Sequence, residues 1–142
     1  MSGEGMIIHA HLPGLLSVGQ VLVLHSSLSL LLCLMCEQGV LRLQCVEPLT
    51  VEEGRALVPL PQAFPAYASY ALVRASIQYS TIEEAHDQLN TAWLQGEVAW
   101  VAFMQPLRTV LGNFRRKLHA CHIDIVAVQR RGYLLKHWKE QR

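Results

Sequence analysis

The sequence predicts an α+β chain: a small β-rich N-terminal lobe, residues 1–61, followed by a segment of helices closed by a β-hairpin, residues 62–142. Three observations carry this expectation. Short apolar runs broken by turn residues fill the first part, the apolar spacing becomes helical after Pro65, and alternation returns near the C-terminus around a turn containing glycine. A chain of 142 residues supports one ordinary core, or two small lobes that share one.

In the first lobe the runs MIIHAHL, QVLVLHS, SLLLCLM, VLRLQCV and GRALVPL are separated by PG, SS, EQG and PLTVEEG, as in a β-meander. Val40 to Val46 alternates best: Val40, Arg42, Gln44 and Val46 fall on one side, and Leu41, Leu43 and Cys45 on the other. Pro59, Pro61 and Pro65 interrupt regular structure and mark the boundary between the lobes.

Beyond the prolines, residues 66–77 bring Tyr67, Tyr70 or Ala71, Arg74 and Ile77 together at helical intervals. A second helix follows in TIEEAHDQLNTAWL, with Ser80 or Thr81 as its cap and Glu83 and Glu84 near its positive end. Its buried face is expected to hold Ile82, Ala85, Leu89, Ala92 and Trp93. QGEVAWVAF then links to a third helix at about 106–119, which starts at Pro106 and carries the stripe Leu107, Val110 or Leu111, Phe114 and Leu118. Trp93, Trp100, Phe103 and Tyr133 are expected in the core.

The last unit is a hairpin at about 123–135. Ile123, Ile125 and Ala127 alternate with Asp124, Val126 and Val128 before the turn QRRG and the strand YLL. Gly132 is expected to permit the turn conformation that presents Arg130 and Arg131 at the tip. Charge is distributed to match. Residues 1–71 hold two arginines and five glutamates, whereas residues 105–142 hold nine Lys or Arg against Asp124 and Glu140, a local balance of +7 in a chain whose total is +1. The near-neutral total argues against indiscriminate coating of nucleic acid, while the asymmetry marks where an anionic partner, whether DNA, RNA, an acidic protein surface or anionic lipid, would dock.

Other classes have weaker support. Met6 to Cys36 contains no charged residue, but Gln20, His25 and several serines dilute it, so buried strands are expected rather than stable membrane insertion. The four cysteines fit free thiols in a reducing cytoplasm. Cys33-x-x-Cys36 has no second pair at zinc-finger spacing, and His119-x-x-His122 with Cys121 lacks a recognised carboxylate base. No metal, cofactor or enzymatic activity is therefore expected.

LGNFRRKLHACHIDIVAVQRRGYLL resembles the end of the winged-helix DNA-binding domain of OmpR-like response regulators. Arg115, Arg116, Lys117 and Leu118 match the basic apolar end of that family's recognition helix, with Phe114 at a usual leucine. Gly132, Tyr133 and Leu135 match its returning wing strand. Gln129, Arg131 and Leu134 depart from the wing pattern. The likeness extends more weakly through TIEEAHDQLNTAW, and the N-terminal lobe corresponds either to the four-stranded sheet that precedes the family's helices or to a dimerisation or effector lobe. That lobe is too short for a receiver domain and has no assignable acidic phosphoacceptor set, so phosphorelay control is not carried over.

The resemblance implies a winged helix-turn-helix domain and a sequence-specific, double-stranded DNA-binding transcriptional regulator. Its third helix would enter the major groove and its wing an adjacent groove. Thr109, Asn113 and Arg116 are then the candidate base readers, since Asn suits adenine and Arg guanine. Arg108, Arg115, Lys117, Arg130 and Arg131 are the candidate phosphate or wing contacts, and Lys136, Trp138 and Lys139 extend that surface. A competing reading pairs Arg115 and Lys117 with Glu83, Glu84 or Asp87. Expected partners are double-stranded DNA, a second copy of the chain and a protein of the transcription machinery. The rival function is a winged-helix interaction module, or adaptor, without sequence-specific DNA readout.

Overall fold

The computed structural model describes residues 7–10, 12, 14–25 and 29–138. Its first half is an antiparallel meander, β1 (Ile7–Ala10), β2 (Gln20–His25), β3 (Leu30–Glu37) and β4 (Val40–Pro48), in the spatial order β1-β2-β3-β4. Within the charge-free stretch 6–36, the described residues thus form β1, β2 and most of β3 with a turn before β2. Among the described residues no helix is long and apolar enough to cross a membrane.

The β3–β4 register breaks once. Cys33 pairs with Cys45 but Leu34 pairs with Leu43, leaving Gln44 as the extra residue of a bulge. The expected two-faced alternation of β4 fails there. Val40, Leu41 and Leu43 are all exposed, Cys45 is half-buried, and Gln44 turns its side chain to Cys33 and Gln20.

GRALVPL, expected as a fifth strand, is helical instead. Thr50 and Glu53 form a reciprocal capping box that starts α1 (Val51–Leu57), and Pro59 opens the short α2 (Pro59–Ala63) at a position where its missing N–H costs nothing. The Phe64–Pro65 peptide bond is cis. The expected boundary at 61/62 falls within α2.

The next expected helix starts later than its periodicity suggested. Ala68–Ser69 forms β5, and α3 (Tyr70–Gln78) begins only after Ser69, whose hydroxyl accepts from Leu72 N. Thr81 caps α4 (Ile82–Gln95) as expected. Ala71 and Ala75 of α3 pack on Ala85 of α4, small side chains that let the two helices approach closely. Ala92 is buried, but Trp93 is 52% exposed, which corrects its assignment to the core. Its ring meets Trp100 edge-on at 5.3 Å.

A second correction concerns the third helix. QGEVAWVAF is not a linker, because α5 runs continuously from Glu97 to His119 with Pro106 inside it. Gly96 alone joins it to α4, at φ 106° and ψ −172°, a conformation that side-chain-bearing residues rarely adopt. Pro106 is tolerated on the exposed side of a helix whose opposite stripe, Phe103, Leu107, Leu111, Phe114 and Leu118, is buried. The expected 106–119 segment is the C-terminal part of this helix.

The hairpin is β6 (Ile123–Val128) and β7 (Gly132–His137), with β5 added in the order β5-β7-β6. The turn itself differs from expectation. Arg130, not Gly132, takes the left-handed conformation, at φ 64°. Gly132 serves close approach: a Cβ there would collide with Ala68 O of β5.

One buried cluster joins both halves. It contains Leu22, Leu24, Leu31 and Cys33 from the sheet, Leu57 and Leu60 from α1 and α2, and Tyr70 and Val73 from α3. The same cluster continues through the α5 stripe to Ile123, Ile125, Tyr133 and Leu135 of the hairpin. Full burial of a side chain such as Phe114 contributes roughly 1.5–3 kcal/mol.

Candidate nucleic-acid interface

α5 offers its exposed side between two neighbours, the hairpin on one flank and the β4–α1 corner on the other. Arg108, Gly112 and Arg115 border a hollow shared with Ile125, Ala127 and Tyr133 of the hairpin. Thr109, Asn113 and Arg116 border a different hollow, shared with Glu47, Thr50 and Glu52 of the β4–α1 corner. The candidates therefore divide: Arg108 and Arg115 lie toward the wing, whereas Thr109, Asn113 and Arg116, together with Lys117, lie toward carboxylates.

Each base-reading candidate is exposed and already engaged locally. Thr109 Oγ1 donates to Gln105 O at 3.0 Å, and Arg116 Nη2 donates to Asn113 Oδ1 at 2.7 Å. The latter bond couples the two side chains expected to discriminate bases. A base edge would have to replace or share it.

Arg115 and Lys117 pair with acids other than Glu83, Glu84 or Asp87. Arg115 holds Asp124 by two bonds, Nε to Oδ1 at 2.5 Å and Nη2 to Oδ2 at 3.0 Å, and His119 Nε2 lies 2.9 Å from the same Oδ1. Burial alone would raise the Asp124 pKa, but the bonds from Arg115 and then His119 overcome it and hold the carboxyl below its ordinary value. Lys117 Nζ donates to the buried Glu53 Oε1 at 2.6 Å, tying α5 to α1. Both cations thus carry structural duties, although the Arg115 side chain remains 52% exposed.

Arg130 and Arg131 are exposed at the turn between β6 and β7. Arg130 reaches over the Trp93 ring, 5.6 Å from its centroid. The turn is anchored beneath them: Tyr70 N donates to Arg131 O at 3.1 Å, and Tyr70 Oη donates to Val128 O at 3.1 Å. Trp138 stacks on His119 at 4.1 Å and Lys136 is exposed, while Lys139 lies outside the described residues.

A cluster that the sequence did not disclose lies beneath this face. Cys33 of β3, Cys45 of β4 and Cys121 after α5 bring their sulfurs within 4.8 Å of one another. Cys36, which stands three residues from Cys33 in the C-x-x-C spacing, is exposed and outside the cluster. Hydrogen bonds from Cys121 and Cys45 hold Cys33 below the ordinary thiol range despite burial, and Cys121 is raised by its bonds with the other two. Only the β3–β4 register could have signalled that Cys33 and Cys45 share a face.

These elements define a winged helix-turn-helix-like layout: a preceding β-sheet, helices α3 to α5 and a C-terminal hairpin wing. Comparison with protein-family models, curated proteins and solved structures finds no match for the chain.

Proposed function

We propose that the protein is a sequence-specific double-stranded DNA-binding transcriptional regulator of the OmpR-like winged-helix type. The C-terminal part of α5 would occupy the major groove and the β6–β7 wing an adjacent groove. The observation that carries this reading is the flank of α5 beside the wing, where Arg108 and Arg115 border one hollow and Arg130 and Arg131 occupy the exposed turn of the same hairpin. In this reading Arg108, Arg115, Arg130 and Arg131 face phosphate, Thr109, Asn113 and Arg116 face bases, and Lys117 is held back by Glu53. The chain acts in the cytoplasm without catalysis, as a homodimer formed through the N-terminal lobe, with a transcription-machinery protein as a further partner.

Binding to a randomised duplex library at low and near-physiological salt tests the proposal. An enriched motif is expected, and it should disappear in the Asn113→Ala/Arg116→Ala protein. Arg108→Ala should weaken all duplexes together and reduce the salt slope by about one. Weak binding without enrichment would instead support the interaction-module reading. That second reading is favoured by Glu47 and Glu52 in the hollow beside Asn113 and Arg116, and by exposed Trp93, Leu94, Val98 and Val101 around the α4–α5 joint.

A further inference from the structure

We propose that Cys33, Cys45 and Cys121 form a three-thiolate binding site for a soft d10 metal ion, zinc(II) or copper(I). Nothing in this proposal depends on DNA binding. The three residues come from β3, β4 and the turn after α5, so the site exists only when the N-terminal sheet is docked on the helix that precedes the wing.

The geometry suits such an ion. All three sulfurs lie within 4.8 Å of one another, with Cys45 Sγ and Cys121 Sγ 2.8 Å apart. A thiolate–metal bond is about 2.3 Å, so sulfurs sharing one ion stand roughly 3.7–4 Å apart. The Cys45–Cys121 pair must open by about an ångström to admit it, a change within the reach of side-chain rotation. Three thiolates suffice for copper(I), and zinc(II) adds one further ligand from solvent.

The surroundings also suit a metal site. Cys33 and Cys121 are almost wholly buried, which shields two of the thiolates, while half-buried Cys45 leaves one side open for ion entry and for the solvent ligand of zinc(II). Gln20 Nε2 donates to Cys33 Sγ at 3.3 Å and to Gln44 Oε1 at 2.6 Å. An amide donor directed at sulfur stabilises a thiolate ligand and fixes its orientation, as outer partners of metal sites do. The β4 bulge matters here because it brings Gln44 Oε1 to accept from Gln20 Nε2, which holds that amide at the sulfur; the Cys33 thiol also donates to Gln44 Oε1 at 3.4 Å, a bond given up when the thiolate takes the ion.

The test uses full-length protein, purified anaerobically under reducing conditions, stripped with a chelator and titrated with cobalt(II) as a spectroscopic probe. One equivalent per chain should give intense thiolate-to-cobalt charge-transfer absorption. Zinc(II) should displace it, and copper(I) should load to the same stoichiometry in a separate titration. Cys36→Ser should behave as wild type. Cys45→Ser, the least buried of the three, should lose more than about 100-fold in zinc affinity, beyond the effect of removing an outer partner. Native mass spectra and thermal melts provide independent readouts: one bound ion and a raised melting temperature. Folded wild-type protein showing neither charge transfer nor a retained ion would overturn the proposal. So would a Cys45–Cys121 disulfide whose reduction leaves the chain unable to take up either metal, or loading that survives in Cys45→Ser but not in Cys36→Ser.

Discussion

Lys117 shows how a basic residue in a recognition-helix pattern acquires a structural task. Its ammonium is held by Glu53, whose second oxygen is buried without a hydrogen-bond partner among the described residues. Removing the cation leaves a buried carboxylate with little compensation, so Lys117→Ala should cost about 3–5 kcal/mol in urea denaturation. Glu53→Gln/Lys117→Met should recover most of that loss; a single variant within about 0.5 kcal/mol of wild type would refute a structural role. The basic cluster was legible in the sequence, but its partners were not. Glu53 precedes Lys117 by 64 residues, and the Arg115–Asp124 pair depends on the hairpin folding back beside α5. The three sulfurs were hidden for the same reason, since strand register and the end of α5 bring them together.

The elements most clearly written in the sequence were those with a single strong pattern: the β2–β3–β4 meander, the Thr81-capped helix and the terminal hairpin. Errors arose where two local signals competed. In GRALVPL the apolar run outweighed the capping signal of Thr50 and Glu53, and at Pro106 a common helix-start residue lies mid-helix on the exposed face. The wing depends on another local constraint. Gly132→Ala would force a Cβ into the Ala68 carbonyl, so β5 must part from β7 and stability should fall by about 1–3 kcal/mol in thermal or urea melts. Gly112→Ala provides the contrast, because a Cβ there meets nothing within 4 Å and should stabilise α5 by about 0.4–1 kcal/mol. Equal effects at the two positions would contradict this account of the wing.

Across the whole molecule, a continuous apolar cluster joins sheet, helices and hairpin, while the edge strand β4 leaves Val40, Leu41, Leu43 and Val46 exposed. Such an edge is suited to a second copy of the chain. Light scattering should show a concentration-dependent rise toward twice the chain mass, and Leu41→Glu/Leu43→Glu should abolish it; a constant monomer mass across the range would exclude the homodimer. The architecture was legible at this scale because the order of elements survived local errors in their limits. Docking of the sheet on α5 was less accessible, since no short motif specifies it. Tyr70 adds a mechanical consequence by bonding the wing through both its N–H and its hydroxyl. Those bonds brace the hairpin against α3, so the wing is a fixed jaw carried by the helices rather than a hinged flap, and only the arginine side chains at its tip are left to adjust.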